Sequence, residues 1–174
     1  MLERREQFAA GPHADAAGAA LADHLIAVLS ELEPELLGVY WPRRSEFYAV
    51  PALRADPMLA KLPIALPFAE RAPVRMHYRA WDGGAPAAVD ECGIASSVGT
   101  PVVPDVVLVP CVGFTPTGLR LGYGSGYFDR WLAQHPQVTS VGVAWSFGEI
   151  GVEALAPQPH DRALTLIVTE RGVV

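Results

Sequence analysis

Between Asp105 and Pro110 the chain reads Val106-Val107-Leu108-Val109, apolar and largely β-branched with no polar alternation. A strand of that kind has both faces covered, which is the condition of a parallel sheet packed between helices. It is followed by Arg120-Leu121-Gly122-Tyr123-Gly124-Ser125-Gly126-Tyr127-Phe128-Asp129-Arg130 and then by an amphipathic stretch that predicts a helix from Tyr127 to about His135. Buried strand, glycine-rich turn and helix in that order form the unit from which open α/β sheets are built.

The rest of the chain supports the same architecture. Leu21, Leu25, Val28, Leu29 and Leu32 recur at helical spacing and predict a helix over residues 14–32, ended by Pro34 and Gly38. Residues 36–41 read as a buried strand, residues 51–60 as a short helix, and residues 64–66 as a strand stopped at Pro67. Val74, Met76 and Tyr78 alternate with Arg75, His77 and Arg79, which predicts a strand over 74–81. Residues 82–104 look like a long irregular connection, and residues 140–145 and 164–169 supply two more apolar strands. The predicted fold is one α/β domain over residues 1–174, a three-layer sandwich with a mainly parallel, Rossmann-like sheet.

Composition excludes several alternatives. The 174 residues are 51% hydrophobic and 18% charged, with a positive mean hydropathy of +0.22, unlike a disordered chain. Cys92 and Cys111 cannot make a disulfide framework, and no Cys/His spacing suits structural zinc. A formal net charge of −6 argues against a nucleic-acid surface. No membrane span or secretory leader is expected, so the reading is cytoplasmic, as a monomer or weak dimer.

The glycine-rich turn carries the chemistry. Alternating glycines let the backbone approach a ligand, and the helix behind them presents unpaired N–H groups and a positive dipole end, which suits a phosphate. Arg120 can add a fork of donors and Asp129 can hold a magnesium ion bridging phosphate oxygens. Asp129 reads equally as a carboxylate stabilising the first helical turn. The turn is not a Walker A loop, and Tyr127 stands where a dinucleotide fingerprint needs its last glycine. By itself such a GxGxG also fits a tight turn with no ligand.

The ordered set Pro104-Asp105-Val106-Val107-Leu108-Val109-Pro110, Gly113-Phe114 and Gly118-Leu119 running into the block from Arg120 to Arg130 resembles the signature of the 5-formyltetrahydrofolate cyclo-ligases, also called methenyltetrahydrofolate synthetases. Val39-Tyr40-Trp41 with Ser45-Glu46, Ile64-Ala65-Leu66-Pro67, Met76-His77-Tyr78, Val141-Gly142-Val143-Ala144 and His160-Asp161 before Ile167-Val168-Thr169-Glu170 follow in the family's order.

The resemblance implies a reaction in which ATP activates the N5-formyl oxygen of 5-formyltetrahydrofolate, N10 closes the ring, and 5,10-methenyltetrahydrofolate, ADP and phosphate result. It implies that Arg120, Leu121, Gly122, Tyr123, Gly124, Ser125, Gly126, Tyr127 and Phe128 cradle the nucleotide phosphates, with Arg120 and Tyr127 at the reacting groups. Trp41, Glu46, Tyr123 and Tyr127 would meet the reduced folate, Glu46 taking the pterin's donor edge. Asp129 and Asp161 would be the magnesium carboxylates, and Asp129 is then expected to be exposed.

Other readings stay open residue by residue. Trp41 and Met76 fit the core, Glu46 a solvated loop, Asp161 a turn cap, and Cys111 a small buried hydrophobe. His77, His135 and His160 show no ligand spacing. The chain also departs from the family pattern. Its one lysine is Lys61, so the basic N-terminal segment is missing and the start reads as truncated or misassigned, with Arg4 and Arg5 falling in a later part of the first helix. Ala95-Ser96-Ser97, Phe147-Gly148 and Pro67-Phe68 replace residues common on the folate side. A module that binds nucleotide or folate without turnover, and an α/β enzyme for another phosphorylated small molecule, are the competing functions.

Overall fold

The computed structural model describes residues 1–154 and 161–174. Two helices open the chain, α1 (Leu2–Ala9) and α2 (Ala14–Leu32). The second has the predicted bounds, buries Leu21, Leu25 and Leu29 along one stripe, and stops where Glu33 turns left-handed ahead of Pro34. Strand β1 (Leu37–Gly38) follows, then α3 (Val50–Ala55), and then the long hairpin of β2 (Ile64–Arg71) and β3 (Val74–Trp81). The short strands β4 (Ala88–Val89), β5 (Ala95–Ser96) and β6 (Pro101–Val102) lead to β7 (Val106–Pro110). After β7 come β8 (Gly113–Phe114), β9 (Arg120–Leu121), α4 (Tyr127–Gln134), β10 (Thr139–Val143), β11 (Leu166–Thr169) and β12 (Gly172–Val173).

The central sheet has the order β12-β11-β10-β7-β1-β2-β3-β6. The four inner pairings from β11 to β2 are parallel, and β12, β3 and β6 add antiparallel margins. The unalternating run predicted to be covered on both faces is β7. Val106 and Leu108 join the core beneath α2 and α3, while Val107 and Val109 join the core that holds Trp131 and Leu132 of α4. The expected three layers follow from that alternation.

Pro67 does not end its strand, contrary to the sequence expectation. β2 pairs with β1 only at Ile64 and Ala65, so from Leu66 onward it has one ladder partner, β3, and a proline is tolerated beside an open edge. The connection over residues 82–104 is not wholly irregular either. It forms the β4–β5 hairpin and returns β6 to the sheet beside β3.

Sheet order reverses between β1 and β7, because the chain first adds β2 on one side of β1 and later places β7 on the other. Ligands in open α/β sheets bind outside the carboxyl ends of the strands at that kind of switch point. Tyr40 and Trp41 continue from β1 and Pro110 ends β7, and all three line one cavity. Among the described residues no helix is long and apolar enough to cross a membrane.

Candidate active site

The cavity has a volume of about 550 Å³, within the range of small-molecule sites. One wall is the glycine-rich turn and the start of α4, contributing every residue from Arg120 to Asp129. Opposite are Tyr40, Trp41, Arg43 and Glu46 from the loop after β1, and Pro67, Ala69 and Met76 from the hairpin. Asp90, Cys92, Ile94 and Asp161 also reach it. Every site residue expected from the sequence therefore lines one space.

The turn has the backbone its glycines anticipate. Gly124 and Gly126 have φ of +85° and +63°, conformations that disfavour other residues, and Gly126 precedes the first residue of α4. Among the described residues no protein acceptor meets the amides of Gly124, Ser125 or Gly126. Together with the free amides of the first helical turn they form a concave set of donors, the chemistry that fits a phosphate chain.

Beneath that cradle Arg120 Nη2 donates to Asp129 Oδ2 at 2.6 Å, and the guanidinium carbon lies 5.4 Å from the Phe128 ring centroid. Asp129 is only 8% exposed, which corrects the expectation of an exposed carboxylate. Three residues into α4 it faces inward, where the buried guanidinium pairs with it. Among the described residues Arg120 Nε has no hydrogen-bond partner, an incomplete satisfaction of a buried donor that fits an anionic ligand. Asp129 Oδ1 lies outside that pairing, and Asp161 lines the same cavity. Magnesium keeps several waters and takes only one or two protein carboxylates beside phosphate oxygens, so these two residues fit a nucleotide-borne ion. Among the described residues no group of three ligating side chains forms an independent metal centre.

On the opposite wall, Glu46 is held by three groups. Tyr123 donates its phenol to Oε1 at 2.7 Å, the Arg43 backbone amide donates to Oε2 at 2.7 Å, and Arg5 Nη1 lies 3.9 Å from Oε1. Burial pushes the Glu46 carboxyl up from its ordinary value, partly offset by those donors and cations. Trp41 packs on Tyr48 and Trp81, with ring centroids 5.4 and 6.1 Å apart, and still lines the cavity, so the core reading and the ligand reading of this residue coexist. Met76 has the same double position.

Tyr127 donates to the Glu70 carbonyl at 3.1 Å and accepts from the Cys92 thiol at 3.2 Å. The Cys92 thiol and burial push its hydroxyl up to about 12, so it stays protonated as a donor. Cys92 and Arg5 were not anticipated. Arg5 stands 118 positions from the tyrosine it contacts, and no local spacing signals such an approach. Cys111 is buried, its thiol pushed up to about 12, as the hydrophobe reading expects. His77 faces Glu70 and Arg79 and His135 stacks on Trp131, whereas His160 lies outside the described residues. Of the residues departing from the family pattern, Ser96 and Ser97 hydrogen bond the carbonyls of Pro67 and Ala80, and Phe147 packs on Phe8.

Fold and cavity together define an α/β protein with a cavity at the switch point of its sheet, lined by a glycine-rich turn with a concave set of backbone donors and by a wall that carries a carboxylate and aromatic rings. Residues 87–170 match the profile of the 5-formyltetrahydrofolate cyclo-ligase family. The chain is 37% identical over 71 residues to the Mycolicibacterium smegmatis 5-formyltetrahydrofolate cyclo-ligase, 40% of this chain and 36% of that protein. It is 40% identical over 67 residues to the Mycoplasma pneumoniae enzyme of the same name, 38% of this chain and 39% of that one. The aligned segments thus span well under half of either relative. In fold, it superposes on the NMR structure of the Aquifex aeolicus 5,10-methenyltetrahydrofolate synthetase with a TM-score of 0.70 at 26% identity, covering 99% of this chain and 87% of that one. The Mycoplasma pneumoniae synthetase structure gives 0.72 at 21% identity, with 97% and 93% covered. The chain is thus similar in sequence to 5-formyltetrahydrofolate cyclo-ligases over residues 87–170, and similar in fold to 5,10-methenyltetrahydrofolate synthetases over nearly its whole length.

Proposed function

We propose that the chain catalyses the ATP- and magnesium-dependent closure of 5-formyltetrahydrofolate to 5,10-methenyltetrahydrofolate, with release of ADP and phosphate. The observation that carries this reading is one cavity with an amide cradle on one wall and Glu46 beside Trp41 on the other. A nucleotide needs the first wall, and a pterin, with N–H donors on a flat ring, needs the second.

In this reading the amides of residues 122–128 hold the phosphates, and Arg120 neutralises the charge that shifts as the terminal phosphoryl group moves to the formyl oxygen. Little acid–base chemistry is required. Alignment of phosphate and formyl oxygen, with electrostatic stabilisation by fixed donors, supplies most of the rate. Glu46 anchors the pterin edge through lone pairs not used by Tyr123 and Arg43, and Trp41 and Met76 pack on the ring. Tyr127, protonated and fixed by Cys92 and Glu70, borders both ligands. Asp129 Oδ1 and Asp161 would hold magnesium, which supplies charge neutralisation between phosphate oxygens.

The experiment is to follow methenyl absorbance with ATP, Mg²⁺ and 5-formyltetrahydrofolate. Product dependent on all three supports the proposal, and a folded protein that forms none overturns it. Calorimetric binding of either ligand without ADP release would instead support a binding module.

A further inference from the structure

Arg5 is a charged residue that the site reading leaves without a role. It is only 3% exposed, although it lies on the first helix, where five of eight residues are charged or polar and its neighbours Glu3, Arg4 and Glu6 are exposed. Burial of a guanidinium costs heavily unless its donors are used, so its contacts should say what it is for. Arg5 Nη2 donates to the Tyr123 hydroxyl at 2.5 Å, Nε donates to Ser45 Oγ at 3.3 Å, and Nη1 lies 3.9 Å from Glu46 Oε1. Tyr123 passes its own proton donation to the same Glu46 oxygen. Three segments meet at this fork: α1, the loop after β1, and the glycine-rich turn. Arg5 itself does not line the large cavity.

We propose that Arg5 is a positioning residue that, through Tyr123 and Ser45, holds the Glu46 carboxylate aimed into the cavity and ionised for a cationic or N–H-donating ring edge. The ring's identity as a pterin rests on the function proposed above; the Arg5 geometry does not. Every charged or titratable group facing Glu46 fits this role. Tyr40 at the end of β1 and Cys111 after β7 are both pushed toward their neutral forms by burial, and Tyr123 donates as a phenol. Arg43, on the same loop, binds through its backbone amide while its guanidinium sits at the exposed surface, 5.3 Å from the Tyr123 ring centroid. That leaves Arg5 as the buried cation opposing the desolvation of Glu46 among the described residues.

The test uses the full chain with Arg5→Met and Arg5→Lys. Carboxyl-carbon NMR, with the Glu46 resonance assigned by Glu46→Gln, reads the titration directly and needs no turnover. Loss of a positive charge beside a carboxyl disfavours its anion, so the Glu46 midpoint is expected to rise by about one pH unit in Arg5→Met and to return toward wild type in Arg5→Lys. In parallel, KM for 5-formyltetrahydrofolate is expected to rise about tenfold, with KM for ATP unchanged within about twofold. An unmoved midpoint in folded Arg5→Met overturns the proposal, whatever happens to thermal stability. If Arg5→Met does not fold, Arg5→Gln takes its place, with the same expected rise and the same overturning result. Wild-type protein that neither binds nor converts 5-formyltetrahydrofolate would overturn the function proposed above, while the titration would still decide the role of Arg5.

Discussion

Arg120 and Asp129 are joined by a 2.6 Å ion pair beneath the glycine-rich turn, with side-chain exposures of 7% and 11%. The two residues expected to serve phosphate and metal separately thus form one buried unit. Asp129→Asn leaves the guanidinium buried without a counter-charge, at a cost on the order of 3 kcal/mol, or about 6–12 °C in Tm for a domain of this size. Differential scanning calorimetry with and without Mg-ATP checks this. A variant that keeps its Tm but loses nucleotide affinity would restore the exposed-ligand expectation.

Gly122 stands over the same pair. A Cβ there would lie 2.6 Å from Arg120 Nη1, so Gly122→Ala must displace a guanidinium that is already engaged. Overpacking of this kind costs about 1–3 kcal/mol. The expected outcome is a folded protein, by circular dichroism, with nucleotide affinity reduced about tenfold in calorimetry.

Glu46→Gln separates stability from binding. The folded carboxyl titrates above its unfolded value, so the stability it contributes is complete below the usual Glu range and is lost as pH rises through the raised value. At neutral pH the ionised side chain is a cost, and Glu46→Gln is expected to match or exceed the wild-type Tm. Folate affinity should fall about 10- to 100-fold with the loss of charge-assisted hydrogen bonds. In wild type, binding should weaken on acidification at a pH above the ordinary Glu range, read by tryptophan fluorescence.

The two thiols differ in reach. Cys92 lines the cavity and Cys111 is buried with its thiol pushed up to about 12. Iodoacetamide should modify one cysteine per native chain, at Cys92, and the second only after denaturation, as read by peptide mass spectrometry. Mg-ATP with 5-formyltetrahydrofolate should slow the first reaction by filling the space beside Tyr127.

Periodic and punctuated segments were legible in the sequence, and residues that meet across the fold were not. Helix α2 shows its apolar stripe, and β7 its two covered faces, in residue order alone. The turn from Gly122 to Gly126 is legible because its glycines meet a backbone requirement local to the chain. Pro67 misled because whether a proline can stay in a strand depends on the neighbouring strand, which sequence order does not reveal. Asp129 was rightly placed on the first turn of α4, but its burial depends on Arg120 crossing beneath the loop. The long segment before β7 hid the β4–β5 pair because two-residue strands carry no period.

Tyr123 belongs to the glycine-rich turn and hydrogen bonds to Glu46 on the facing wall. Any ligand that fixes the turn therefore also restricts this phenol, and so changes the free energy at which a second ligand engages Glu46. Coupling of this kind is reciprocal, so each ligand must alter the other's affinity by the same factor. One shared hydroxyl gives the two halves of the cavity a common thermodynamic cycle, whose sign depends on whether the hydrogen bond survives when both halves are filled.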